Sequence, residues 1–340
     1  MSMTLRSLPA RFTGLLLAGV LLSGCMSTIA SPITGGGEGS PRETFASIDR
    51  EPTLLVATTR KPSGSTTESP FFGTERGRGL AFAQARMTPP DRSLVGRVTS
   101  VVGGGWNVKR ISSLTTLDAA GAFAQAALGN DVLLYVHGYR ETFETAAISA
   151  GELADGIGFR GKAGIFTWPS GGATLDYGYD RESALWSRDA FEDLLLALAK
   201  TPSGGRVHIV AHSMGTLLTL ETLRMLRSSG GDAAMARIGA VVMASPDIDI
   251  DLFTQGVERL GPDARKITVI SSTKDRALEL SRRIAGGVVR AGAADPDKLA
   301  ALGVRVADAS DFGGGLINHD LFLSNTEVRA VVKRAIERAE

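Results

Sequence analysis

Cysteine is almost missing from this chain, with one, Cys25, among 340 residues. That excludes an intrachain disulfide and any zinc site built on several thiolates. Histidine is scarce as well, at four, and aromatic residues make up only 6%. Neither sign of charge is in excess: Lys and Arg number 37, Asp and Glu 36. With no basic stripe, nucleic acid is excluded as an expected partner. No heptad, internal repeat or long like-charge block occurs, which sets aside coiled coils and solenoids. What is there is 43% hydrophobic and 21% charged, with 41 glycines. This is the composition of an ordinary globular chain, long enough for one large α/β domain or two small ones.

The longest apolar run stands at the start. Arg6 and Arg11 precede "FTGLLLAGVLL" (Phe12 to Leu22), a run too short to span a bilayer comfortably and flanked as a secretory leader is. It leads into "LSGC", Leu22 to Cys25, which resembles the lipobox of bacterial lipoproteins. The resemblance implies cleavage before Cys25 and acylation of that cysteine. Residues 1–24 are therefore expected to be a signal peptide, and losing their two arginines leaves 35 basic against 36 acidic residues. Acyl chains, at about 0.8 kcal/mol per buried CH₂, hold a protein on a membrane. Met26 stands where the inner-membrane retention signal of enteric bacteria has Asp, so the expected location is the cell envelope, at the outer membrane facing the periplasm. Residues 25–50 are rich in Ser, Gly, Pro and Thr without periodicity, and are expected to form a lipidated flexible tether.

From residue 51 on, apolar β-type runs alternate with helical spacing. The runs are "TLLVATT", "LAFAQARM", "DVLLYVHG", "AGIFTWP", "RVHIVA", "IGAVVMA", "KITVIS" and "GVRVADA". Helices are expected at about 119–128, 143–157, 188–200, from Gly215, and at the C-terminus. Near-continuous apolar strands joined through helices imply a mostly parallel sheet of eight strands covered on both faces. The first two runs, joined by a polar loop, suit an antiparallel start.

"RVHIVAHSMGTLLTLETLRML" (206–226) passes from strand to helix with one serine, Ser213, on the junction. It fits the nucleophile elbow G-x-S-x-G with Ala211 in place of the first glycine. Such a turn demands small residues two before and two after the serine. It also sets the Met214 amide at a helix start, where unpaired donors favour an anion. A bland alternative is a serine capping a helix. A second oxyanion donor is expected from the turn after an earlier strand, and "YVHGYR" supplies His137-Gly138 with the Tyr139 amide next. On this fold the acid and then the histidine follow the serine. His319 is the only histidine after Ser213, so it is the expected base. Asp275, after "KITVISSTK", is the favoured acid, with Asp247 and Asp249 of "SPDIDID" as alternatives.

Seven pieces together, "ATTR" (57–60), "VHGYR", "FTWPSGG" (166–172), "AHSMG", "ASPDIDIDLF", "SSTKDRALELS" and "NHDLF", resemble the DUF900 family of α/β-hydrolases, over about residues 53–335. The resemblance implies an α/β-hydrolase fold and the triad Ser213, Asp275 and His319, and it names no substrate. The expected activity is that of a membrane-anchored serine hydrolase acting on a small-molecule or lipid or envelope ester. Two other readings stay open: a non-catalytic envelope-binding protein on the same scaffold, and an acyltransferase using the same nucleophile.

Other features carry less. His212 adjoins the nucleophile and suits a supporting hydrogen bond. His208 and His212 lie four apart on a strand, a spacing that converges ligands only on a helix, so no metal and no cofactor is expected. "DIDIDLF" lacks the glycine and final glutamate of a calcium loop. Trp168 is expected beside the pocket or in the core, and "DYGYD" (176–180) at the pocket rim. Only about twenty residues separate "VVMA" from "KITVI", enough for a crossover helix and not for a large cap. An open site that takes short-chain esters is the corresponding expectation.

Overall fold

A computed structural model describes residues 51–90, 105–173, 176–202, 204–312 and 319–339. The expected signal peptide, Cys25 and the tether lie outside the described residues, as does the "GGGLIN" segment before His319. Among the described residues no helix is long and apolar enough to cross a membrane.

Among the described residues nine strands form one sheet in the order β3-β2-β1-β5-β4-β6-β7-β8-β9. They are β1 (Thr53–Pro62), β2 (Phe72–Thr88), β3 (Asn107–Thr115), β4 (Val132–Val136), β5 (Lys162–Thr167), β6 (Val207–His212), β7 (Ile238–Ala244), β8 (Ile267–Ser271) and β9 (Arg305–Asp308). β1, β2 and β3 pair antiparallel, and every other pairing is parallel. The sheet thus has one strand more than the eight read from sequence. β3 escaped notice because only Val108 and Ile111 of its nine residues are buried, which leaves an edge strand with no apolar run. β2 begins at Phe72 instead of Leu80, and its first half is mostly exposed. There the backbone pairs Arg76 with Arg60 although the side chains read as loop.

Period-two alternation divides the strands between two cores. Leu134 and Val136 of β4 face one side, with Ile209 and Ala211 of β6. Leu133 and Tyr135 face the other, with Val210. Helices α1 (Ala119–Ala126), α4 (Arg188–Lys200), α5 (Gly215–Met235) and α6 (Ile250–Leu260) cover the first face. Helices α2 (Phe143–Gly156) and α10 (Thr326–Glu337) cover the second. Truncating a fully buried leucine such as Leu134 or Leu218 to alanine costs about 2–5 kcal/mol.

β4 lies between β5 and β6, so the chain reverses its direction of progress across the sheet there. A crevice opens at the carboxyl ends of strands at such a switch point, and that is where α/β sheets bind ligands. His137 follows β4 and Ser213 follows β6. The β7–β8 crossover holds only α6 and a short 3₁₀ turn, Gly261–Lys266. The longer elaboration comes after β8, with α7 (Arg276–Ile284) and α8 (Pro296–Ala300) before β9. α3 (Tyr177–Trp186) and α9 (Leu321–Ser324) complete the helices that matter here.

Candidate active site

Ser213 sits between the end of β6 and the start of α5 with φ +50°, a left-handed conformation that costs a non-glycine residue about 1–3 kcal/mol. The surroundings hold it there. Its amide donates to Ala244 O at 2.9 Å, and its carbonyl accepts from Thr216 N at 3.1 Å and Asp247 N at 3.3 Å. Two glycines make the turn possible. A Cβ on Gly215 would lie 2.3 Å from His137 O, and one on Gly138 would lie 3.0 Å from Ser213 Cβ. Ala211 occupies the remaining small position with its methyl buried in the first core. Met214 follows at the helix start, where first-turn amides have no partner within the helix.

His319 Nδ1 lies 2.7 Å from Asp275 Oδ2. A carboxylate only accepts, so Nδ1 carries the proton and Nε2 keeps its lone pair. The Asp275 side chain is fully buried and that of His319 is 18% exposed. The other Asp275 oxygen accepts from the amides of Ala277 and Leu278 at 2.9 and 3.1 Å, so this residue also caps α7. The main chain of His319 is held too: its carbonyl accepts from His212 Nε2 at 3.1 Å and from Ser245 Oγ at 3.2 Å. Burial, and then the neighbouring His319, pushes the His212 imidazole down to about 3, so His212 is a neutral donor near pH 7.

The alternative acids have other partners. Asp249 caps α6 through the amides of Asp251 and Leu252. Asp247 is buried against Arg290, with Nε 3.1 Å from its Oδ1. It also accepts from Ser281 Oγ at 2.5 Å and Tyr177 OH at 3.0 Å. This cluster ties α3 and α7 to the segment after β7.

The turn after β4 rests on a network that composition and spacing did not reveal. Arg60 is 1% exposed. Its Nε donates to Thr167 Oγ1 at 2.9 Å, and its terminal nitrogens donate to Glu141 O at 2.6 Å, Gly73 O at 3.1 Å and Ser170 O at 3.3 Å. Burial lowers its guanidinium to about 10, still charged at neutral pH. Thr167 Oγ1 lies 3.0 Å from His137 Nε2, which also accepts from the Trp168 amide at 3.1 Å. His137 Nδ1 donates to Gly138 O at 2.8 Å, and burial holds this imidazole well below its usual range. The stretches "ATTR" and "FTWPSGG" therefore meet at one guanidinium, and "VHGYR" joins them through His137 and Thr167. Asp180 adds a second brace by accepting from Ser170 Oγ, Gly171 N and Arg140 N. The only trace of this in the sequence is an arginine that directly continues the apolar β-type run "TLLVATT".

Ser213, His319, His212 and Tyr139 line a cleft of about 680 Å³, together with Tyr177, Asp247 and residues of α7. Gly138 packs beneath it, against Ser213. His137 and Trp168 do not line it. Both are fully buried and stack ring on ring at 4.7 Å, so Trp168 takes the core place of the two expected for it, and His137, a candidate pocket residue from its place in the HG turn, supports the turn from below. Asp176 precedes α3 and Tyr177 to Asp180 form its first turn, and of these Tyr177 reaches the cleft wall. His208 serves the sheet: its Nδ1 accepts from Ala240 N at 3.1 Å, where the β6–β7 register is irregular. No group of three or more potential metal ligands occurs among the described residues.

The fold is similar to that of an esterase from Pyrobaculum calidifontis, with 13% identity, a TM-score of 0.40, and coverage of 85% of this chain and 86% of that one. A predicted CIB-like hydrolase from Thermoplasma acidophilum is similar at 13% identity and a TM-score of 0.38, over 84% of this chain and 99% of that one. An uncharacterized protein of Nostoc sp. is 34% identical over 61 residues, and the chain spans 16% of that relative's length. The family model for α/β hydrolases of unknown function, DUF900, matches residues 121–336. The chain belongs to the DUF900 family of α/β hydrolases.

Proposed function

We propose that this protein is a serine esterase. The observation that carries the reading is the presence of Ser213, at positive φ on a strand–helix turn, and His319 in one cleft while a buried carboxylate holds His319 Nδ1. In this reading His319 Nε2 takes the Ser213 proton as Oγ attacks the ester carbonyl. The amides of Tyr139 and Met214 receive the oxyanion. Asp275 fixes the imidazole tautomer and stabilises the imidazolium. The protonated His319 then gives its proton to the leaving alcohol, and water activated by the same imidazole releases the acid from the Ser213 acyl-enzyme.

The sequence before residue 51 adds a location. In this proposal Cys25 is acylated and the catalytic domain works on the bacterial envelope, tethered by residues 25–50. Cys25→Ser should move the protein from the membrane fraction to the soluble one. The catalytic reading is tested with p-nitrophenyl acetate. Stopped-flow release of p-nitrophenol should show a burst of about one equivalent per chain if deacylation limits turnover, and Ser213→Ala should abolish release. Hydrolysis that continues unchanged in Ser213→Ala rejects the proposal.

A further inference from the structure

The cleft has two unlike walls. One carries polar atoms that already satisfy each other. Tyr177 OH and Ser281 Oγ both donate to Asp247, and Arg290 neutralises it. The Asp247 side chain is 4% exposed and that of Arg290 3%. Donors and acceptors spent in this way offer little to a polar substituent of a substrate. The other wall is α7. Beside Ser281, which faces the polar wall, Ala277, Leu280 and Ile284 fall on one face at helical spacing, and all three line the cleft with Ser213 and His319. Leu280 is 56% exposed and Ile284 58%. From Ala277 to Ile284 the strip runs roughly 10 Å along the helix. Its base is the caps made by Asp275, the residue that also holds His319.

Two large aliphatic side chains left in water beside a reactive serine are stabilised when hydrocarbon covers them. We infer that α7 binds an unbranched hydrocarbon chain of the ester substrate, with Leu280 and Ile284 as its specificity-determining residues. This rests on the serine-esterase reading and narrows its substrate class to apolar, medium-chain esters. It replaces the short-chain expectation drawn from the missing cap: the wall is supplied by the elaboration after β8.

Two homologous series test the inference on the full chain: p-nitrophenyl esters from acetate to dodecanoate, and alkyl acetates from ethyl to decyl. In at least one series kcat/KM should rise with chain length, by up to about fourfold per methylene in contact with the wall. In Leu280→Ser/Ile284→Ser the octanoate-to-acetate ratio, or the octyl-to-ethyl ratio, should fall at least about tenfold, by the same measure. Leu117→Ser, an exposed leucine elsewhere (87%), should leave the ratio as it is. Flat series in the wild type, or a ratio unchanged in the double variant, overturn the inference. A second readout does not need turnover. A dansyl-labelled undecanoic acid should bind Ser213→Ala saturably and at least about tenfold more weakly once Leu280 and Ile284 are serine. Equal binding by both proteins overturns the inference even if esters are hydrolysed. Binding lost with the two side chains, but without any ester turnover, upholds the apolar wall and rejects the esterase reading alone.

Discussion

Asp275 makes two attachments at once: one oxygen lies 2.7 Å from His319 Nδ1 and the other caps α7. The two roles separate on substitution. Asparagine caps a helix about as well as aspartate, so Asp275→Asn should keep α7 and change stability by less than about 1 kcal/mol. Its amide cannot hold the imidazole in the required tautomer, and kcat should drop by as much as about 10⁴-fold, as in the serine-protease triad. Asp247→Asn should do the reverse. It leaves Arg290 buried and uncompensated, at a cost of about 3–5 kcal/mol, with the folded fraction retaining most of its activity. Paired urea melts and ester kinetics distinguish the two, and reversed outcomes would move the acid to Asp247.

Gly215 and Ala211 flank the serine with unequal tolerance. A methyl on Gly215 meets the backbone carbonyls of His137 and Val136 at 2.3 and 2.7 Å, and neither can swing aside. Gly215→Ala should destabilise by about 3 kcal/mol or more and lose activity with the turn geometry. Ala211→Gly should cost about 1 kcal/mol and keep activity, since the turn already accommodates the smaller residue. Thermal unfolding together with p-nitrophenyl acetate turnover measures both.

Arg60 should not be replaceable by lysine. Four acceptors in separate directions surround its guanidinium, and one ammonium reaches only some of them. Arg60→Lys should lower stability by about 2–4 kcal/mol, from charged hydrogen bonds lost in the interior. It should also lower kcat more than it raises KM, because the loosened turn carries the Tyr139 amide. A variant matching wild type in both respects would remove Arg60 from the support of that turn.

Acid should destabilise the fold from about pH 6.5 downward, the range in which unfolded histidine takes up its proton. Burial pushes His208 down to about 4, and burial with the nearby His319 pushes His212 to about 3. Between those values and 6.5 the unfolded chain binds protons that the folded chain refuses, so stability is full above 6.5 and falls with pH. Each such histidine should remove about 2 kcal/mol between pH 6.5 and 5. Urea midpoints at pH 7.5 and 5 should therefore differ less in His208→Gln, which keeps an acceptor for Ala240 N, than in the wild type. Equal differences would mean His208 is protonated in the folded state.

The parallel half of the sheet was legible because β4 to β8 are apolar on both faces and need no partner to be recognised. Ser213 was legible because the strand, the small residues and the helix follow one another within ten positions. β3 and the start of β2 were not, since an edge strand needs only half an apolar pattern. Arg60 was hidden for a different reason: its value comes from Thr167, Ser170, Glu141 and Gly73, which only the fold brings to it. Leu280 and Ile284 belong to a helix whose sequence, "RALELSRRI", reads as an ordinary amphipathic crossover. That their face is turned to the cleft and not to the core follows from where Asp275 anchors the helix.

Covalent labelling tests the central claim most directly. Full-length wild-type protein treated with a fluorophosphonate should gain the mass of one adduct per chain, on the peptide that contains Ser213, and Ser213→Ala should gain none. An adduct that persists in Ser213→Ala, or wild type that is folded by circular dichroism and stays unlabelled, would contradict the account.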